Sequence, residues 1–281
     1  MIEAPLLEIQ ALHVRFGGLV ALQELSLRVD AGEIIGLIGP NGAGKTTVFN
    51  CISRFYAPSS GAIRCGGRDL GRAAPHEVIG YGIARTFQNV ELCPSMTALD
   101  NLLLGQHALD RGRAPGGWLA DALGLGRARR REAAARDWAD SVLRSLELFP
   151  YRDRVVSTLP FGVQKAIELA RAVVARPRLI LLDEPAAGAD PAETAAIAGL
   201  IRRLRAEFGL SFLLVEHDMP LVMGLCDRLY VLDFGRLIAQ GAPAAIRADP
   251  AVQAAYLGSR ASGRPAAAGA GPPAGLTPDD L

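Results

Sequence analysis

The chain has 281 residues, half of them hydrophobic, and its 30 basic and 29 acidic side chains leave a net charge of +1. That length allows one substantial core with room for a subdomain or a tail, and the balanced charge supplies no global field for nucleic acid or an anionic membrane. No stretch approaches the ~20 uninterrupted apolar residues that a membrane-spanning helix needs.

Ile2 is followed at once by Glu3, with no apolar signal core behind it, so the chain is expected to be made and kept in the cytoplasm. Cys51, Cys65, Cys93 and Cys226 are scattered without metal-ligand spacing, which predicts buried free thiols rather than disulfides or a metal site. His13, His76 and His107 are equally dispersed.

In chain order, residues 6–14 alternate enough for a strand, and Leu25–Val29 reads as its partner. Glu33–Ile38 is a short apolar run ending at a glycine-rich turn, after which Thr46–Ser53 has helical character. Strand, glycine loop and helix open an α/β nucleotide-binding unit. Ala62–Cys65 is a further short strand between turn signals. Residues 97–172 read mostly as helix; in Arg127–Leu146, Trp138, Val142 and Leu146 recur at helical spacing. The arginines at 127 and 129–131 fit a solvated helix face better than a nucleic-acid patch, because no aromatics interleave them. Leu179–Leu182 and Phe212–Val215 are apolar strands separated by a helix over Ala192–Glu207. Such alternation implies a largely parallel sheet covered on both faces. Leu229–Asp233 and Arg236–Ala239 read as a hairpin, and from Ser259 the composition falls into Ala, Gly and Pro, predicting a tail that does not fold.

Residues 39–46 read GPNGAGKT and fit G-x-x-x-x-G-K-[ST]. Glycines let the backbone curl so that several N–H groups face one anion, and the helix that follows adds its dipole. Lys45 supplies a point charge to the β and γ phosphates, and the Thr46 hydroxyl a ligand for Mg²⁺. The loop therefore nominates Gly39, Pro40, Asn41, Gly42, Ala43, Gly44, Lys45, Thr46 and Thr47 as nucleotide-binding residues. Its second half should be an acid at a strand end. Residues 179–185 read LILLDEP, so Asp183 is the candidate to hold Mg²⁺ through oxygen. Glu184 is the candidate to orient or deprotonate a water. The competing reading makes the two acids helix caps.

Four further segments, in order, resemble the ATP-binding cassette (ABC) proteins. Gln88 in RTFQNV resembles the glutamine that senses Mg²⁺ and the attacking water. LPFGVQ at 159–164 resembles the family signature, with Gly162 and Gln164 expected to meet nucleotide. Ala187–Asp190 falls at the dimer-contact loop, and His217 in LLVEHD resembles the switch histidine at the γ-phosphate. Phe16 takes the place of the aromatic residue that stacks on adenine. The resemblance spans Phe16 to His217 and implies an α/β fold of the P-loop NTPase class, ABC ATPase type. Its core sheet would be mostly parallel, with an antiparallel β region and an inserted helical subdomain. It also implies boundaries: a cassette over 1–258, with its core in 1–90 and 172–240. The helical subdomain would cover 91–171 and a C-terminal extension 241–258, ahead of the tail at 259–281.

The signature departs from the usual pattern, since Pro160 replaces a serine, and Phe161 and Val163 flank Gly162, so that one glycine of the usual pair is gone. Backbone N–H groups at the helix start are able to keep the role; the alternative is that this half-site has lost it. The departures, with EPAAG at 184–188, resemble the larger ATPase of branched-chain amino acid importers. What that implies is ATP and Mg²⁺ as cofactors, and a second, related ATPase subunit completing each site. Transmembrane permease subunits and, indirectly, a periplasmic or extracellular substrate-binding protein would be the other partners, without nucleic acid. The location would be peripheral, on the cytoplasmic face of the membrane. Alternatives in the same frame are a urea or amide importer, a lipid exporter, or a degenerate cassette acting as a structural partner.

Overall fold

A computed structural model describes residues 4–86, 91–110 and 126–261. Two sheets form the scaffold. The first is antiparallel, in the order β2-β1-β4-β5, from β1 (Leu7–Phe16), β2 (Leu19–Val29), β4 (Ser60–Cys65) and the two-residue β5 (Arg68–Asp69). The partner of the first strand is longer than the sequence suggests. Leu25–Val29 is only its second half, because β1 and β2 stay paired from Leu7↔Val29 to Phe16↔Leu19, where the chain reverses.

The second sheet has the order β10-β9-β3-β8-β7-β6. It consists of β3 (Ile34–Ile38), β6 (Ile83–Arg85), β7 (Leu179–Asp183), β8 (Ser211–Val215), β9 (Arg228–Asp233) and β10 (Arg236–Gly241). The five strands from β9 to β6 are joined by four parallel pairings, and among the described residues the β9–β10 hairpin adds the antiparallel edge. β6, three residues long, carries too little pattern to be read from sequence.

Every residue of β3, β7 and β8 is buried, and the pleat divides them between two cores. Ile34, Ile38, Ile180, Leu182, Phe212 and Leu214 face a core shared with the helices. Ile35, Leu37, Leu179, Leu181, Leu213 and Val215 face the antiparallel sheet, with α1 (Lys45–Ile52) packed between through Val48, Phe49 and Ile52. Each such aliphatic side chain contributes about 1.5–3 kcal/mol on burial, so the central sheet is the rigid platform of the molecule.

The helical part contains α2 (Ala98–Asp110), α3 (Gly126–Ser145) and α4 (Phe161–Val174), with short 3₁₀ turns at Phe149–Tyr151 and Val156–Thr158. α2 and α4 approach closely at Gly105, where a Cβ would lie 2.6 Å from the Arg171 carbonyl oxygen. Trp138 of α3 donates its indole N–H to the Val174 carbonyl at 3.1 Å, tying the third helix to the same pair. After β7 the chain forms α5 (Pro191–Phe208), α6 (Met219–Leu225), α7 (Pro243–Ala248) and α8 (Pro250–Ala261). The last helix runs past Ser259, where the composition changes; the remainder of the expected tail lies outside the described residues, as do residues 111–125 of the stretch expected to be mostly helix.

Candidate functional site

The strand order decides which motifs meet. β3, β8 and β7 are consecutive and parallel, with Leu37 opposite Val215 and Val215 opposite Asp183. Their C-terminal ends therefore lie side by side, and each continues into a loop that carries a predicted residue. A ligand crevice outside the carboxyl ends of parallel strands is the general outcome of this topology.

From β3 comes the glycine loop. Gly39, Gly42 and Gly44 have φ of 149°, 80° and 102°, and a Cβ on Gly39 would sit 2.1 Å from the Leu232 carbonyl oxygen. Any side chain there would force the loop off β9. The β9–β10 turn holds the loop from outside, as the Gly235 N–H donates to the Ala43 carbonyl at 3.0 Å. Gly44 caps α1 without a side-chain bond, leaving the first-turn N–H groups of that helix as anion donors. Lys45 opens the helix and folds back, donating from Nζ to the carbonyls of Gly39 (2.7 Å) and Pro40 (2.9 Å). Burial lowers its pKa, while the charges of Glu184 and Asp183 oppose that shift. Thr46 follows, exposed, in the first helical turn.

β7 ends in the two acids, and neither caps a helix. Asp183 Oδ2 accepts from Arg85 Nη2 at 2.8 Å in a nearly buried ion pair, the side chains 10% and 12% exposed. Arg85, at the end of β6, also donates from Nη1 to Asn50 Oδ1 at 2.8 Å and to Ser53 Oγ at 3.3 Å, both next to or on α1. Removing one member of such a buried pair costs about 3–5 kcal/mol. Sequence reading did not nominate Arg85, because its partner lies 98 positions away and no local pattern marks it.

Glu184 has a φ of 49°, a conformation that a non-glycine residue holds only at a cost of order 1 kcal/mol. Its N–H donates to the Val215 carbonyl at 2.9 Å, which ties the turn to β8. The side chain meets His217, with 2.7 Å between Oε1 and Nε2; a carboxylate only accepts, so the imidazole carries the proton at Nε2. Glu216, a second residue not nominated by sequence, fixes this geometry. It is buried, 4% exposed; Oε1 accepts from the Ala186 N–H at 2.8 Å. Oε2 accepts from the N–H groups of His217 (2.9 Å) and Asp218 (3.3 Å). One carboxylate thus joins the loop after Glu184 to the loop carrying His217.

The other nominated residues sit on other elements. Phe16 is half-exposed at the end of β1, its ring edge-on to Tyr56 at 5.1 Å. Gly162 is exposed in the first turn of α4, on the helical part of the chain, and Pro160 is the N-cap of that helix with φ −56°. Gln164 turns back, its amide donating to the Leu159 carbonyl at 2.8 Å, so its donor holds the loop before α4. Asp190 caps α5 in a reciprocal pair with Glu193, which gives the segment Ala187–Asp190 a fixed exit. Gln88 lies outside the described residues.

Comparison with known proteins gives matches over almost the whole chain. A family model described as ABC transporter matches residues 22–187, and a second, described as branched-chain amino acid ATP-binding cassette transporter, matches residues 236–266. The high-affinity branched-chain amino acid transport ATP-binding protein BraF of Pseudomonas aeruginosa is 42% identical over 254 residues, covering 90% of this chain and 98% of BraF. Its counterpart LivG of Salmonella typhimurium is 43% identical with the same coverage. Among solved structures, the ADP conformation of MJ1267, an ATP-binding cassette of an ABC transporter, superposes with a TM-score of 0.78. It is 32% identical in sequence, over 91% of this chain and 99% of that one.

Proposed function

Since the chain belongs to the ABC transporter family, as an ATPase of the importer type, we propose that it drives uptake of branched-chain amino acids by ATP-dependent closure against a second ATPase subunit. The observation that carries the catalytic part is the Glu184–His217 pair, 2.7 Å apart, at the ends of the adjacent strands β7 and β8, next to the strand that leads into Lys45. The substrate part rests on BraF and LivG and on the match of the C-terminal segment.

In this reading the loop Gly39–Thr47 holds the phosphates through backbone N–H groups and Lys45, and Phe16 meets the base. Glu184 is the base that aligns water, and His217, held on Glu216, holds Glu184 in place and answers to the terminal phosphate. Asp183 and the Thr46 hydroxyl offer the hard oxygen donors that suit Mg²⁺, whose usual set is one or two protein oxygens plus phosphate and water. When bound, Mg²⁺ neutralises phosphate charge. The chain's own residues do the orienting: Arg85 fixes Asp183, and Glu216 fixes the two loops.

A partner subunit is supported by the exposure of Gly162 in the first turn of α4, where a backbone N–H suits an anion brought by another copy or a related chain. Permease subunits supply the path across the membrane, since no helix among the described residues is long and apolar enough to cross one. We place the chain peripherally on the membrane's cytoplasmic face, with a substrate-binding protein outside. Two experiments test this. Glu184→Gln retains ATP affinity, lowers turnover by about 10²-fold or more and accumulates as an ATP-bound dimer in size-exclusion chromatography; turnover near that of the parent removes Glu184 from its role. Vesicles containing the native complex take up leucine, isoleucine and valine on ATP addition; uptake of urea alone rejects the substrate.

A further inference from the structure

The charged side chains at this end of the sheet include Lys45, Arg85, Asp183, Glu184 and Glu216. Lys45 feels the charges of Glu184 and Asp183, and among the described residues it is Arg85 that makes a direct ion pair with Asp183. We propose that Arg85 is a positioning residue that competes with the divalent cation for the Asp183 carboxylate, and so sets how much the cation adds to nucleotide affinity. This rests on the reading of Asp183 as the cation's carboxylate.

The guanidinium is held on several sides. Asn50 and Ser53 accept from Nη1, the rings of Phe49 and Phe55 lie 5.6 and 6.0 Å from its carbon, and Nη2 engages Asp183 Oδ2. It does not retreat freely when a cation arrives at the same carboxylate. Two cations sharing one carboxylate sit only several ångströms apart, where their repulsion exceeds thermal energy even at an effective dielectric near 20. The opposing effect is loss of orientation: a ligand without its outer partner typically binds metal ~10- to 100-fold less well. Asp183 depends less on that support than a loop ligand does, because its backbone is paired with Val215 as the last residue of β7. Repulsion therefore outweighs orientation here.

Arg85 also lines a groove of about 790 Å³ beside α4, together with Phe55, Val78, Ile83, Glu168 and Arg171. The residue that restrains Asp183 is thus reachable from a second surface.

The test measures affinity for a fluorescent ATP analogue at pH 8, with Mg²⁺ and with EDTA, in a Glu184→Gln background that suppresses turnover. The ratio of the two affinities reports the cation's contribution. Arg85→Met and Arg85→Gln each raise that ratio about tenfold over the parent, and Arg85→Lys, which keeps the charge, stays within about twofold. Loss of positive charge penalises the metal-free nucleotide more than its Mg²⁺ complex, so the direct effect of charge on the nucleotide has the same sign. Arg85→Gln retains a hydrogen-bond donor and supplies the reading if Arg85→Met does not fold by circular dichroism. An unchanged or smaller ratio in the neutral variants overturns the proposal, as does an equal rise in Arg85→Lys. Asp183→Asn, run alongside, shrinks the ratio. If it does not, the assignment of Asp183 to the cation falls and takes the proposal with it. A response to Asp183→Asn with none to Arg85 defeats the Arg85 role alone.

Discussion

Replacing Glu216 by glutamine changes one atom of a buried side chain and tests whether the site is assembled by this carboxylate. The carboxylate accepts three backbone N–H groups, from Ala186 on Oε1 and from His217 and Asp218 on Oε2. An amide has one oxygen, so one side of the arrangement must face an NH₂ group that only donates. Hydrogen bonds to a charged acceptor are worth about 1.5–3 kcal/mol, and the stranded donor adds about 1–3 kcal/mol of desolvation. With partial relaxation, Glu216→Gln costs about 2–4 kcal/mol. For a chain of this size each kcal/mol lowers the thermal midpoint by about 2–4 °C, which gives a drop of about 4–16 °C. Because the displaced N–H groups belong to the loops after Glu184 and at His217, turnover falls too, by up to ~10²-fold for a shift near 1 Å. Differential scanning calorimetry and a phosphate-release assay measure both quantities on one preparation. A midpoint within about 1 °C of the parent, together with turnover within about twofold, refutes the inference that Glu216 organises these loops.

Lys45→Ala raises the Kd for ATP by about 10²-fold or more while leaving far-ultraviolet circular dichroism unchanged; unaltered affinity sinks the assignment of the phosphate loop. The cysteines divide by burial, which pushes the thiols of Cys51 and Cys226 up to about 11 and about 12 and raises that of Cys65 as well. Iodoacetamide at pH 8 therefore labels half-buried Cys93 first, and the others react only after unfolding. Mass spectrometry that finds Cys226 modified as fast as Cys93 contradicts the packing around β3 and α6.

What sequence reveals and what it hides separate along a physical line. GPNGAGKT, LILLDEP and LLVEHD are legible because each joins a run of strand residues to a chemically unusual terminus, and a parallel sheet necessarily gathers such ends. The Arg85–Asp183 pair and the bond from the Ala186 N–H to Glu216 are tertiary: the partners sit 98 and 30 positions apart, and an arginine or glutamate in isolation reads as surface charge. β6 shows the same limit for structure. Three residues carry no period, and the strand exists because Ile83, Ala84 and Arg85 find the edge of β7. The first half of β2 was illegible for another reason: it lies at the exposed hairpin end, where Leu19 is 68% exposed and burial imposes no alternation.

The signature is where sequence and geometry together sharpen the chemistry. Pro160 has no hydroxyl, but as N-cap it leaves the N–H groups of Phe161 and Gly162 at the start of a 14-residue helix, where the dipole favours an anion. Its carbonyl takes the N–H groups of Val163 and Gln164, both at 3.0 Å, so the helix is hydrogen-bonded from those residues onward and only the outermost donors remain to face a partner. The Gln164 amide is spent on Leu159. In the proposed pairing with a second ATPase subunit, recognition through α4 therefore falls to backbone N–H groups rather than to a serine or glutamine side chain. Gly162→Val, which crowds those donors without touching Lys45 or Glu184, is expected to leave ATP binding by the isolated chain intact. It should lower the turnover of the assembled pair by about tenfold or more; unchanged turnover of the pair would show that α4 faces no nucleotide.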